Sequence, residues 1–179
     1  PDEEAVRPNV QGGRERGLIL HKLLEEVLTG ETPDDAGTLS ERARALIGEI
    51  GRPVMADHSQ GLSPDELAGC VVRTLALPEI AELRPTLVPE LAVYAAVDVD
   101  GVEQATVGIA DATSFDNAGR PTVVIDWKSD VQPTAETLNH YRAQVRTYLD
   151  MTGTDRGLIV LVTTGQVIAV TPTTAPLAA

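Results

Sequence analysis

Between Val123 and Asp130 the chain reads Val-Val-Ile-Asp-Trp-Lys-Ser-Asp, with Asp126 and Lys128 two positions apart in an apolar, β-branched run. In an extended strand such residues project from one face, so a carboxylate and an ammonium stand side by side. A carboxylate entering a buried strand is costly unless a metal or a cation compensates it. Asp111 ends the preceding extended run, Gly108-Ile109-Ala110-Asp111, and a tight antiparallel return can bring it beside Asp126. Two carboxylates and a lysine on adjacent strands suit phosphodiester hydrolysis. The acids hold Mg²⁺ or Mn²⁺, the metal polarises the phosphate and lowers the pKa of bound water, and the lysine orients that water or neutralises developing charge. A plain salt-bridged strand pair uses the same Asp-x-Lys spacing, so the surroundings must decide. One hint is lysine usage: the chain has only Lys22 and Lys128 against twelve arginines, which suggests that position 128 needs an ammonium.

The elements that must position these groups change period along the chain. Leu20, Leu23, Leu24, Val27 and Leu28 recur at helical spacing between Glu15 and Thr29, and Gly30 closes that helix. Thr38-Leu39-Ser40-Glu41 reads as a capping box opening a second helix to about Ile50. Ser63-Pro64-Asp65-Glu66 opens a third, which runs to about Leu77, where Pro78 interrupts it. From there the pattern is extended: Leu87 to Val99, a hairpin turn at Asp100-Gly101, Val102 to Ser114, a turn at Asn117-Ala118-Gly119, then Thr122 to Lys128. A helix over Thr134 to Met151 ends at Gly153; an apolar strand, Gly157 to Thr163, lies centrally and pairs with Gln166 to Val170 across Thr164-Gly165. This predicts an α/β fold, a mixed sheet flanked by helices, with an extra helical region at the N-terminal side.

The company of Asp111–x14–Asp126-x-Lys128 is what narrows the reading. That arrangement resembles the PD-(D/E)XK nuclease signature. Gly17-Leu18-Ile19-Leu20-His21-Lys22-Leu23-Leu24-Glu25 matches the G-x-x-x-H-x-x-L-E helix of its RecB-like branch, the nuclease domains of RecB and AddA helicase–nucleases. Pro89-Glu90-Leu91 matches a first-strand Glu, Gly108 to Asp111 a second-strand G-x-x-D, Asp126-Trp127-Lys128 the third strand, and Gln144-Val145-Arg146-Thr147-Tyr148 a closing Q-x-x-x-Y. Singly these blocks are common; collinear, from about residue 15 to 170, they are specific. The resemblance implies a PD-(D/E)XK, restriction-endonuclease-like core, with a flexible lead-in over 1–13, one nuclease domain over 14–171 (helical to about 84, sheet core from about 86) and a tail over 172–179. It implies His21, Asp111, Asp126 and the Trp127 backbone carbonyl as ligands of Mg²⁺ or Mn²⁺, and Lys128 as catalytic beside the two acids. Glu90 would lie near the metal, and Gln144 and Tyr148, one helical turn apart, would contact DNA or position the motif strand. A polar ring on the apolar helix needs a partner, which supports His21 independently. His21 and Glu25 could also form a helical metal pair, but Glu25 is read as solvated.

Other features set bounds. His58 sits in a surface loop; His140 either approaches the substrate or is merely exposed; Arg142, Arg146 and Arg156 are phosphate contacts or solvated charges. The single Cys70 excludes internal disulfides and cysteine clusters, including the cluster of some RecB-like relatives, which points to the AddA/RecB type or a standalone enzyme. No G-x-x-x-x-G-K-[ST] motor motif, membrane span or secretory signal is present, and the expectation is a cytoplasmic piece of a longer chain. A net charge of −13 argues against gripping nucleic acid by overall field. It is uneven: residues 1–100 carry 9 Lys+Arg against 19 Asp+Glu, residues 101–179 carry 5 against 8. The expected partners are therefore DNA, delivered as a single strand by a helicase domain in the same parent chain, and a partner subunit of a helicase–nuclease acting in double-strand break repair and recombination. A silent scaffold of the same fold and a standalone nuclease are the alternatives. Residues 32–87 carry no recognised motif.

Overall fold

Leu20, Leu23, Leu24 and Val27 line one side of α1 (Arg14–Thr29), and burying that stripe is what draws the helical region onto the sheet. The structure is a computed structural model that describes residues 13–99 and 102–173, with side chains described except at 95–99 and 102–106. The expected Asp100-Gly101 turn, most of the lead-in and residues 174–179 lie outside the described residues. After α1 come α2 (Ala36–Glu49), α3 (Pro64–Ala76), the short α4 (Pro78–Leu83) and a 3-10 turn (Arg84–Thr86). Strands β1 (Leu87–Val99), β2 (Val102–Phe115) and β3 (Pro121–Lys128) follow, then α5 (Ala135–Thr152), β4 (Gly157–Leu161) and β5 (Gln166–Val170).

Two local expectations are corrected, and a third holds with an addition. The second helix starts earlier, because Asp35 rather than Thr38 is its N-cap and accepts a hydrogen bond from the Thr38 amide; the carboxylate supplies the acceptor before the hydroxyl is reached. Pro78 does end α3, but it then serves as the first residue of α4, where its missing N–H does no harm. The fourth strand stops at Leu161, whose carbonyl accepts from the amides of Thr164 and Gly165 and so turns the chain into β5.

The sheet order is β1-β2-β3-β4-β5, antiparallel throughout except for the parallel pair β3 and β4, which α5 connects. Two cores form, one on each face. Val123, Ile125, Trp127, Leu158 and Val160 pack against α1, α2 and α3, while Val124, Ile159 and Leu161 pack against Val145, Tyr148 and Leu149 of α5. β4 is buried at every position, as an apolar strand covered on both faces must be.

Alternation fails at one level of the sheet. Leu87 and Ala112 belong to the core under α1 to α3, yet Val93 and Ala110 belong to the core under α5. Residues an even number of positions apart should share a face, so β1 and β2 both change phase between these points. The break in β1 is at Glu90, whose φ of 53° is the one non-glycine positive value among the described residues. Glu90 lies opposite Asp111, between the pairs Pro89↔Ala112 and Leu91↔Ala110, and the β2–β3 ladder begins only at Ala112↔Ile125. β2 and β3 therefore part at Asp111 and Asp126.

Arg16 ties the helical region to this fork. It is 2% exposed and donates to Glu66 Oε1 on α3 at 2.7 Å, to Thr163 Oγ1 beyond β4 at 2.7 Å and to the Ser129 carbonyl beyond β3 at 3.2 Å. Removing one member of a buried ionic network typically costs 3–5 kcal/mol because its partners stay behind unpaired. Arg16→Ala should therefore lower the unfolding free energy by about 3 kcal/mol or more, and Arg16→Lys should recover little of it, since an ammonium cannot span the same partners. Urea unfolding decides this; a change under about 1 kcal/mol would show that the network is idle.

Candidate active site

The residues expected to do chemistry converge at the fork. α1 delivers His21 from one face of the sheet, and α5 delivers Gln144 and Tyr148 from the other. His21 Nε2 lies 2.9 Å from the Trp127 carbonyl oxygen and its Nδ1 lies 3.4 Å from Asp111 Oδ1. Both neighbours are acceptors, a carbonyl and a carboxylate, so the surroundings favour the protonated ring. Burial opposes that charge, but the hydrogen bond and charge of Asp111, with the Trp127 carbonyl, outweigh it and raise the His21 pKa. Asp111 Oδ2 accepts from the Trp127 amide at 2.7 Å. Burial works against the Asp111 carboxylate too, yet His21 and the Trp127 N–H hold its pKa below the usual range.

Asp126 is the strained member. It is 2% exposed, and desolvation, with Asp111 beside it, pushes its pKa up to about 7 although Lys128 pulls the other way. Lys128 Nζ donates to Asp126 Oδ1 at 3.1 Å and lies 2.9 Å from Oδ2 without hydrogen-bonding alignment, so Oδ2 is left buried with no donor. A buried carboxylate oxygen that accepts no hydrogen bond is costly, and a divalent cation would satisfy it. Among the described residues no three His, Cys, Asp or Glu side chains surround one point. The donors that face each other are two carboxylates, one imidazole and the Trp127 carbonyl. That nitrogen–oxygen set without thiolate fits a hard divalent ion of the Mg²⁺ or Mn²⁺ kind.

The remaining expected residues fall into two groups. Gln144 Oε1 accepts from Lys128 Nζ at 3.3 Å while its Nε2 donates to the Tyr148 hydroxyl at 3.1 Å, so both reach the site, and through Lys128. Tyr148 lies so close to β2 that a Cβ on Gly108 would meet its ring at 2.7 Å. Glu90 is exposed, but burial of its carboxylate and the negative charges of Asp111 and Glu25 raise its pKa, which places it at the edge of the site. Glu25 is half-buried rather than simply solvated: it accepts a hydrogen bond from Lys22 at 3.2 Å, and its charge is felt at Glu90. His58 and His140 are exposed, Arg156 is exposed, Arg142 bonds Asn139, and Arg146 bonds the Thr171 carbonyl.

Sequence reasoning missed Tyr141 and Asp130. The Lys128 ammonium lies 4.5 Å from the centre of the Tyr141 ring, and the Tyr141 hydroxyl donates to Asp130 Oδ2 at 2.8 Å. An aromatic residue three positions before Gln144, hence on the same helix face, was the available signal.

Comparison with known proteins is consistent with this arrangement. No curated protein matches the chain. Among solved structures, one described as "Crystal structure of SSO0001" is 20% identical, covers 88% of this chain and 77% of its own, and superposes with a TM-score of 0.44. A family model matches residues 2–170, which include the α1 histidine, the fork acids, the lysine and the α5 glutamine and tyrosine. On that match, spanning nearly the whole chain, this protein belongs to the PD-(D/E)XK nuclease superfamily.

Proposed function

We propose that the chain is a metal-dependent deoxyribonuclease domain that hydrolyses phosphodiester bonds at the β2–β3 fork. The observation that carries this reading is the buried Asp126 carboxylate, whose Oδ2 accepts no hydrogen bond, close to Asp111, with His21 and the Trp127 carbonyl beside Asp111 and the motif strand. His21, Asp111, Asp126 and that carbonyl would hold Mg²⁺ or Mn²⁺. When bound, such an ion supplies Lewis acidity toward a phosphate oxygen and toward water. The chain's own residues do the rest. Lys128 presents a full positive charge, held by Gln144, where negative charge develops on the phosphate. Glu90 adds negative charge at the rim. The Trp127 amide fixes which oxygen of Asp111 is free to turn toward a ligand.

The order and spacing of the blocks favour the RecB-like branch, and thus a nuclease module that a helicase supplies with single-stranded DNA during double-strand break repair. The net charge of −13 supports delivery by something other than this chain. Intact Asp111, Asp126, Lys128 and His21 argue against the alternative, a silent scaffold, since such domains usually lose an acid or the lysine. No described helix is long and apolar enough to cross a membrane.

Two measurements test the reading. A divalent ion competes with protons for His21, whose pKa is raised, and for Asp126, pushed up to about 7, so affinity should rise with pH through the region near 7 and level off above it. Calorimetry of Mn²⁺ binding near neutral pH in buffers of different ionisation enthalpy should show release of about one proton or more, reduced in His21→Ala. Proton-neutral binding would place the ion elsewhere. Single-turnover cleavage then separates a catalytic from a structural Lys128. A unit charge about 4 Å from developing negative charge is worth about 4 kcal/mol at an effective dielectric near 20, roughly a thousandfold in rate. The planar guanidinium does not fit the point where Asp126, Gln144 and the Tyr141 ring meet, so Lys128→Arg and Lys128→Ala should both lose nearly all cleavage while still binding metal. An Arg variant cutting at near wild-type rate would reduce Lys128 to a salt-bridge partner.

A further inference from the structure

We propose that Tyr141 is the positioning residue of Lys128, its ring face holding the ammonium over the fork while Asp130 fixes the ring. This rests on the nuclease reading, since it assigns a device for aiming that reading's lysine. Three groups touch the ammonium: the Asp126 carboxylate, the Gln144 amide oxygen and the Tyr141 ring. Only Asp126 is charged, and it is also the acid whose unsatisfied oxygen calls for a cation. Once Asp126 serves another cation, the lysine is left with two neutral holders.

Neutral holders suit the task. A second carboxylate at the ammonium would cancel the charge that a phosphate in transition must meet. A ring face attracts the cation through its quadrupole and leaves its net charge intact. Asp130, the nearest other acid in sequence, does not pair with the lysine; it accepts the Tyr141 hydroxyl at 2.8 Å. That bond does two things. It pins the ring of a residue on α5 to the segment leaving β3, and it enriches the ring in electrons, which strengthens its hold on a cation. Burial and Asp130 together push the hydroxyl pKa up to about 12, so the donor proton stays in place.

The ring contact is distinguishable from simple packing because it depends on electron density at nearly constant shape. Replacing Tyr141 with Phe and then with mono-, di- and trifluorinated phenylalanines should lower single-turnover cleavage of single-stranded DNA in steps. The series should span about tenfold, while Mn²⁺ and DNA affinities stay within about twofold. Tyr141→Leu should fall at or below the bottom of that series, and Tyr141→Phe should recover to within about threefold of wild type. A second readout does not require cleavage. With only two lysines in the chain, the ε-methylene proton signals are resolvable, and Lys22→Arg assigns them. The Lys128 signal should be displaced upfield by the ring and return in Tyr141→Leu. Rates flat across the fluorinated series, or a Leu variant as fast as wild type, would overturn the proposal. So would an undisplaced Lys128 signal in the wild type. A wild type that shows the displaced signal but cuts no DNA would overturn the nuclease reading instead, and with it the purpose of the contact.

Discussion

The structure is organised around one unfavourable fact, the burial of the Asp126 carboxylate in the middle of a sheet. A lone ion there would neutralise itself by taking a proton, and Asp126 is pushed toward doing so near pH 7. Everything next to it limits that tendency without removing it. Lys128 balances the charge from two positions along the same strand, and His21, reaching from the helix across the sheet, balances Asp111. Two acids thus face a lysine and a histidine whose pKa is raised, and Asp126 Oδ2 is left with an ion-pair contact but no hydrogen bond.

The scaffold must then hold the acids at a place where the sheet is broken. Ladder hydrogen bonds would otherwise occupy the backbone at Asp111 and Asp126, and side-chain alternation would send one of them to the wrong face. The phase change at Glu90 and Asp111 removes both obstacles at once. It puts Leu87 and Ala112 under the N-terminal helices while Val93 and Ala110 turn to α5, and it opens the fork. A positive φ at a non-glycine residue costs of order 1 kcal/mol or more, and it persists here because two packed faces impose it. Arg16 closes the structure behind the fork, binding α1 and α3 to the segments that leave β3 and β4. Residues 32–87, which carry no motif, supply that support: Glu66 lies on α3, and α2 and α3 bury Leu39, Ile47, Leu67 and Val71 against the sheet side of α1.

Much of this was readable from the chain because it depends on local chemistry. Strand and helix spans follow period, and Gly30 and Gly153 end helices in the left-handed conformation. The motif glycines have a spatial reason that the sequence shows only as a spacing. A Cβ on Gly108 would strike the Tyr148 ring, and one on Gly17 would press on Ser129 Oγ at 3.0 Å. So the Gly108 block leaves room for the Tyr148 ring, and the Gly17 block leaves room for the Ser129 side chain that follows Lys128. What was not readable depends on relations between distant segments. The phase change arises from two cores competing for one pair of strands. Arg16 looks like any helix-start arginine until its four partners, contributed by α3 and two strand ends, surround it. Tyr141 becomes meaningful only when α5 is laid across the end of β3.

The electrostatics of the whole chain complete the argument. A surface of net charge −13 repels a polyanion, and the repulsion is long-ranged compared with the dimensions of the fork. The local cluster works against that field only over a few ångströms, because its cations are already committed: His21 to Asp111, Lys128 to Asp126, Arg16 to Glu66. A divalent ion held by the acids would add two positive charges there and would leave the lysine to the Gln144 amide and the Tyr141 ring. On the proposed function, attraction for a phosphate would be concentrated at the fork and would depend on the ion, because a net charge of −13 gives the chain no overall field that favours a polyanion.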